Sequence, residues 1–532
     1  MDTASQFISY LQTGCFSKIV IDYIAEKKIL QPFYSHPVSK EGIKSAITQR
    51  NLFTTNRPLL VDVLLKQYAS LHTSDAVKSN IDALLSENTF TICTAHQPNI
   101  FTGHLYFIYK ILHIVKLANE LKEQVQDYDF VPVYYMGSED ADLEELGEVN
   151  INGKTYQWKT EQKGAVGRMK IDKAFIALID EIEGQLSVEK FGDEILVQVK
   201  KAYSIDKTIE QATFEFTNYL FADYGLVILL PDSAVLKNEF SSIIKKELAE
   251  QFSGKAVAET IAHFPTEYKV QAAGREINLF YLKDNIRERI EKGNSEWSVV
   301  NSSISFKDDE LFEELKNYPE RFSPNVILRP LFQEMILPNI AFIGGGGELA
   351  YWLELQKVFE AAVVPYPVLI LRNSFMIINK KMGKKISALD LSAEDFFTNE
   401  NDLVNTLVKR ESILQLSLQE EKAALKGLYT KMQSAAGAVD STLHNHVTAM
   451  QAQAVKRIEA LEKKMLKVEK LKFEAQQRQI KKIKEVLFPT GALQERIDNI
   501  LPYYSIYGKG FIEMLYKNSA GLQQQFCIVT EI

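Results

Sequence analysis

A chain of 532 residues, 46% hydrophobic and 24% charged, has ample material for a packed core, which argues against disorder and favours two to four domains. Its 61 basic and 69 acidic residues leave a net charge of −8, which removes any global electrostatic case for nucleic acid or an anionic membrane surface. Three cysteines, Cys15, Cys93 and Cys527, are too few and too scattered for a disulfide framework or a zinc ribbon, and each reads as a small packed hydrophobe.

The opening Met-Asp-Thr-Ala-Ser-Gln has no basic region followed by an apolar one, and no apolar run approaches the roughly 18 residues that span a bilayer. A soluble cytoplasmic protein is expected. To about Glu87 the pattern is helical, with Leu59, Leu60, Val63, Leu64 and Tyr68 at 3–4 spacing. Phe90-Thr-Ile-Cys-Thr94 then reads as a buried strand, Gly103 to Glu123 as an amphipathic helix, and Phe130-Val-Pro-Val-Tyr-Tyr-Met136 as a second strand. Strand, helix and strand at this spacing predict a βαβ unit with a parallel pair. Between Glu148 and Asp172 the pattern turns polar, with Asn152-Gly153 as a hairpin turn. Gly225 to Leu230 is a third core strand, followed by a helix through Glu250. Ile277–Leu282, Asn325–Leu328, Ala341–Ile343 and Val368–Leu371 are further strand candidates.

No proline occurs between Pro367 and Pro489, so long helices can run there. One apolar seam reads Leu403, Leu407, Leu414, Leu418, Leu425, Leu428, Met432; a second reads Leu443, Val447, Met450, Ala454, Ile458, Leu461, Met465, Val468, Leu471. Both step by the coiled-coil period, and Gly437 between them is a natural reversal point for an antiparallel hairpin. The tail from Pro489 returns to a globular mix. The predicted organisation is a Rossmann-like α/β core over residues 1–380, with an N-terminal helical layer and insertions near 148–172 and 250–320, a helical coiled coil over 381–488, and a segment 489–532 that packs back on the core.

In an open parallel sheet, ligands bind beyond the carboxyl ends of the strands. After the first strand comes Ala95-His96-Gln97-Pro98-Asn99-Ile100-Phe101-Thr102-Gly103-His104, leading into a helix. A glycine, a helix start and two imidazoles suit a phosphate; a capped turn with incidental histidines is the plain alternative. After the second comes Gly137-Ser138-Glu139-Asp140-Ala141-Asp142, then Glu144 and Glu145. Clustered carboxylates need a cation, a substrate ammonium or solvent to offset their repulsion. Asp232 follows the third strand. Ile343 leads into Gly344, Gly345, Gly346, Gly347 and Glu348, a four-glycine loop before a helix from Leu349 to Phe359. It matches neither a phosphate-binding nor a dinucleotide fingerprint, but it lets a ligand touch backbone. Arg329 and Arg372 end two strands, where each could hold a carboxylate or phosphate or form a structural ion pair. Lys380 to Lys385 could be a mobile phosphate-contacting loop, with a basic run at a helix start or linker as the plainer reading. No nucleophilic triad and no metal-ligand spacing stands out, and His444 and His446 do not share a helix face.

Taken together, His96-Gln97-Pro98, Thr102-Gly103, Leu105-Tyr106 and Tyr109-Lys110, then Val131-Pro132-Val133, Ser138-Glu139-Asp140 and Asp142, then Gly344 to Trp352 resemble the bacillithiol biosynthesis cysteine-adding enzyme family. Arg329-Pro330, Pro367 to Phe375, the coiled coil and Leu501-Pro-Tyr-Tyr504 extend the resemblance over essentially the whole chain. It implies a core like class I aminoacyl-tRNA synthetases and nucleotidyltransferases, with a coiled coil that mediates homodimerisation. It implies a ligase that joins L-cysteine to the amine of glucosaminyl malate, with ATP leaving as ADP or AMP, Mg²⁺ able to accompany it, and no organic prosthetic group. On that resemblance His96, Thr102, Gly103, His104, Glu139, Asp140 and Asp142 are the catalytic candidates, the histidines toward nucleotide phosphates and the acids toward the cysteine ammonium, the sugar or a metal ion. Gln97, Asn99, Tyr106, Ser138, Asp232, Arg329, Gly344 to Gly347, Glu348, Tyr351, Arg372 and Asn373 are the binding candidates. Two other readings stay open: a nucleotidyltransferase or aminoacyl-transferring enzyme of the same fold with another substrate, and a non-catalytic coiled-coil scaffold.

Overall fold

The computed structural model describes residues 2–272, 274–294 and 296–532. It divides into two compact units: one runs to Met376 and resumes over Leu493–Val529, and the other spans Ile377–Ala492 with Thr530–Ile532.

The first unit opens on a strand, β1 (Thr3–Ile8), where a helical layer is expected; its six residues carry no apolar alternation and are mostly exposed, so nothing in the pattern marks it. Helices follow, and then the core strands β2 (Thr89–His96) and β3 (Asp129–Met136) flank the helix Leu105–Gln124. A hairpin, β4 (Glu148–Ile151) and β5 (Lys154–Gln157), turns through Asn152 and Gly153 at φ 52° and 80°, the left-handed pair that an Asn-Gly turn adopts readily. The third core strand is β6 (Val227–Leu229).

The chain then builds an antiparallel sheet that the core reading did not anticipate: β7 (Leu279–Lys283), β8 (Ile286–Lys292), β9 (Trp297–Val299), β10 (Ser305–Phe306) and β11 (Phe322–Pro324), in the order β10-β9-β8-β7-β11. The strand candidate at Ile277–Leu282 belongs here as β7. The candidate at Asn325–Leu328 is not a strand. The Asn325 side chain accepts from the amides of Ile327 and Leu328, and Leu328 begins the helix Leu328–Ile336, with Pro330 in its first turn where no amide is needed. The core sheet resumes with β12 (Asn339–Gly344) and β13 (Val368–Leu371).

The core sheet is fully parallel, in the order β13-β12-β2-β3-β6. Every residue of β2 and all but the first of β3 are buried, the continuous apolar signature of a strand covered on both faces. From β2 the chain steps outward to β3 and β6, and later returns on the other side as β12 and β13. Chain order therefore reverses between β2 and β12.

The helix Leu105–Gln124 carries one buried histidine, His113. Its Nε2 donates to the Gly521 carbonyl at 2.7 Å and its Nδ1 accepts from the Asn373 amide at 3.1 Å. Both nitrogens are therefore satisfied only in the neutral ring, and burial pulls its pKa from 6.5 down to about 4. Because the unfolded chain protonates first, this group removes stability as pH falls from 6.5 toward 4, by about 1.4 kcal/mol per pH unit. Urea denaturation at pH 7.5 and 5.5 should show the loss, with a shallower slope in His113→Asn; equal slopes would remove His113 as the cause.

In the second unit, Lys380–Ala388 and Glu400–Glu411 precede an antiparallel pair of long helices, Gln419–Val439 and Leu443–Lys470, followed by Glu474–Leu487. The chain reverses at residues 440–442, where Asp440 accepts from the Thr442 amide and hydroxyl, so Gly437 stays inside the first long helix. The first seam is broken by residues 412–418 and does not form one continuous helix.

Candidate functional site

A cavity of about 360 Å³ opens at the carboxyl ends of the core strands, toward the small end of the roughly 300–1,000 Å³ that ligand pockets occupy. It lies where chain order reverses, because the loops leaving β2 and β12 diverge and leave a crevice there.

From the end of β2 come His96 and Gln97. The His96 ring packs on Tyr106 and Phe107, each at a centroid distance of 5.4 Å, and its Nε2 is buried without a hydrogen-bond partner. Burial, reinforced by Lys110, His104 and Arg372, holds the imidazole well below its usual range, so the ring is neutral. From the end of β3 come Gly137, Glu139 and Asp140. Glu139 forms an ion pair with Lys237, a buried lysine that also donates to the Phe322 carbonyl at 2.9 Å. Burial pushes Glu139 up against the pull of that lysine. Asp140 accepts from Gln97 Nε2 at 3.1 Å and from the Ala141 amide at 2.7 Å. The acidic run is thus relieved by the chain's own lysine and backbone donors. Asp142 caps the short helix Leu143–Leu146 and stays exposed, outside the cavity lining.

From the end of β12 come Gly345, Gly346, Gly347 and Glu348. The four glycines are not one loop: Gly344 ends the strand, and the helix Gly346–Trp352 begins two residues later. The Glu348 carboxylate accepts from the Gly345 amide at 2.8 Å and pairs with Lys110, which also donates to the Ala95 carbonyl at 3.0 Å. This pair, in the cavity wall, ties the ends of β2 and β12 to the helix Leu105–Gln124. Nor does a helix run from Leu349 to Phe359. Fully buried Glu354 accepts from the amides of Gln271 and Ala272, both at 2.7 Å, and the chain is drawn out of the helix before Gln356–Ala362 restarts it.

Arg329 lies in a helix and does not end a strand. It donates to the Tyr351 hydroxyl at 2.9 Å and to Gln333 Oε1 at 3.3 Å, neither of them a carboxylate. Arg372 follows β13 as expected, but its guanidinium is spent on fully buried Glu495, at 2.6 and 3.0 Å.

Of the sequence candidates, the cavity gathers His96, Gln97, Tyr106, Glu139, Asp140, Arg329, Gly345, Gly346, Gly347, Glu348, Tyr351 and Arg372. It does not take in Asn99, Thr102, Gly103 and His104. Phe101, Thr102 and Gly103 have φ of 51°, 70° and 65°, and Asn499 holds this turn by donating to the carbonyls of Phe101 and Gly103 at 2.9 and 2.5 Å. The His104 ring bonds the Ile497 carbonyl, and the Leu105 amide donates to that of Asp498, so these helix-start groups, expected to meet phosphate, already have protein partners. Also off the cavity are buried Ser138, Gly344, Asp232, which forms a paired ion bridge with Arg168 at 2.7 Å, and Asn373, whose amide is used by His113. Cys93 and Cys527 are buried, whereas Cys15 is exposed.

Several lining residues escaped sequence reasoning. Lys110 had a usable signal, a single cation amid the apolar positions 105–115. Arg287 and Arg496 had none, since they arrive from the antiparallel sheet and the late segment. Among the described residues no group of three or more His, Cys, Asp or Glu side chains is placed to hold a metal ion, and no helix is long and apolar enough to cross a membrane.

Residues 4–373 match the family described as Bacillithiol biosynthesis BshC, N-terminal Rossmann-like domain, and residues 375–531 match Bacillithiol biosynthesis BshC, C-terminal coiled-coil domain. A protein of Flavobacterium johnsoniae with the provisional name cysteine ligase BshC is 40% identical over 525 residues, covering 98% of this chain and 99% of its own. One of the same name from Bacillus cytotoxicus is 26% identical, over 94% and 96% of the two chains. A solved structure from Campylobacter jejuni, provisionally titled an arginyl-tRNA synthetase, is 9% identical, with 85% and 100% coverage, and its TM-score of 0.24 is too low to carry an argument.

Proposed function

We propose, from the premise that this chain belongs to the bacillithiol biosynthesis BshC family, that it is a ligase joining the carboxyl group of L-cysteine to the amine of glucosaminyl malate, with ATP activating the carboxylate. The observation that carries this reading is the charge left uncancelled around the cavity. Asp140 is held by an amide and backbone donors, not by a cation, while Arg329 and Arg287 face the same space without a carboxylate partner. A zwitterionic amino acid, an amine and a polyanion together satisfy both signs.

Asp140 suits an ammonium, and Arg329 suits a carboxylate or phosphate. Neutral His96, with a buried nitrogen lacking a partner, suits a hydrogen bond to an oxyanion. ATP would supply a leaving group on the cysteine carboxyl carbon. The amine then forms the C–N bond, the C–O bond to that leaving group breaks, and the amine gives up a proton. Holding both partners within one small cavity makes the attack effectively intramolecular. Purified protein given L-cysteine, glucosaminyl malate and ATP should yield bacillithiol by mass detection, in proportion to ADP or AMP released. Absence of product with all three present would overturn the assignment.

We read the helical hairpin as a homodimer contact. The helix Gln419–Val439 buries none of its residues, and Leu428, Met432, Met450, Leu461 and Val468 are exposed. Light scattering should give twice the chain mass, and Leu461→Asp with Val468→Asp should give a monomer. A monomeric wild type at micromolar concentration would sink this reading.

A further inference from the structure

The antiparallel sheet β7–β11 is an insertion in the core, yet it puts into the cavity one charged side chain to which no substrate group has been assigned. Arg287, the second residue of β8, lies opposite Leu282 of β7 and stacks on Phe280, with its guanidinium 4.1 Å from the ring centroid. Its Nε is buried and has no hydrogen-bond partner. Glu139 and Asp140 are the carboxylates that influence it, but neither lies within ion-pair distance: Glu139 is held by Lys237, and Asp140 by Gln97 and backbone. A guanidinium is an obligate donor, and an N–H buried without an acceptor is costly. The stack on Phe280 fixes the plane of the fork, which removes much of the entropy that an arginine otherwise loses on binding. A preformed fork with an unfilled donor, open to a cavity that holds His96 and Arg329, is built for an acceptor that the chain itself does not provide.

We propose that Arg287 is the anion-binding residue that the inserted sheet contributes to this cavity, taking a carboxylate or a phosphate of a substrate. For its substrates, though not for its chemistry, this rests on the ligase reading above. The test uses the full-length protein and Arg287→Met, which keeps an apolar stem against Phe280, with Arg287→Lys as the conservative variant. Calorimetric titration with inorganic pyrophosphate and with L-malate reads anion binding without any turnover. At least one should bind the wild type, weaken tenfold or more in Arg287→Met, and recover in part in Arg287→Lys, with urea denaturation unchanged. Steady-state kinetics then identify the source. A rise in KM for ATP alone assigns a phosphate, and a rise in KM for glucosaminyl malate alone assigns a carboxylate, in both cases with kcat little changed. Wild type that binds neither anion, or Arg287→Met that binds both as the wild type does, overturns the proposal. A wild type that binds anion but forms no amide would overturn the ligase reading and leave the anion site standing.

Discussion

Removing either member of the Arg372–Glu495 pair should cost about 3–5 kcal/mol of stability, and removing both should restore most of it. The pair is among the most deeply enclosed ion pairs in the first unit, with side chains 4% and 0% exposed and two hydrogen bonds between them. Arg372→Met leaves a carboxylate sealed beside Tyr10 and Tyr109; Glu495→Met leaves a guanidinium with only the Ser374 hydroxyl and the Asn373 carbonyl. Each single variant therefore keeps a charge without its counter-charge, where desolvation is large and Coulomb compensation is gone. The double variant replaces both by apolar side chains of similar length, which is commonly neutral or stabilising. A double-mutant cycle by urea denaturation should return a coupling of several kcal/mol; additive losses would show that the two sites are energetically independent. The same cycle decides what Arg372 does for the reaction. Its two terminal nitrogens are held by Glu495, Ser374 and the Asn373 carbonyl, so activity should follow the fold and return in the double variant. A stable double variant without activity would put Arg372 among the groups that bind substrate.

This pair also marks how far the sequence could be read. The core strands were legible because a parallel strand buried on both faces is a continuous apolar run, and the acidic and glycine-bearing ends of β3 and β12 pointed to the cavity. Whether Arg372 was a ligand or a structural ion stayed open because its partner lies 123 residues away, across the helical hairpin. A still larger separation, 398 residues from Phe101, hides Asn499, which holds the Asn99–His104 loop off the cavity; on local spacing alone that loop resembles a phosphate site. Arg329 was misplaced for a local reason. Asn-Val-Ile-Leu is apolar enough to read as a strand, but the asparagine caps a helix that Pro330 enters in its first turn. Arg287 could not be found at all, since its strand, Ile286–Lys292, is rich in charge with few apolar positions to mark it and pairs in a second sheet within the inserted segment.

His96→Ala should lower kcat by about 100- to 1,000-fold, the usual effect of losing one donor to a developing oxyanion. The choice between donor and base follows from the environment of the ring. Burial is the largest influence on its pKa, and Lys110, His104 and Arg372 push it in the same direction, so a proton taken from the acceptor amine would be held poorly. A neutral imidazole has no such difficulty in giving a hydrogen bond from its N–H, and Nε2 is buried at the cavity wall with nothing bonded to it. Two consequences separate the roles. His96→Gln, which retains a side-chain N–H, should recover part of the lost kcat, whereas a base cannot be replaced by an amide. The pH profile of kcat/KM should keep its shape in His96→Gln, because a ring that stays neutral well below pH 6.5 contributes no ionisation to the acid limb. An acid limb near pH 6.5 that vanishes in His96→Gln would make the ring a base. Activity within a few-fold of wild type in His96→Ala would remove it from the reaction altogether.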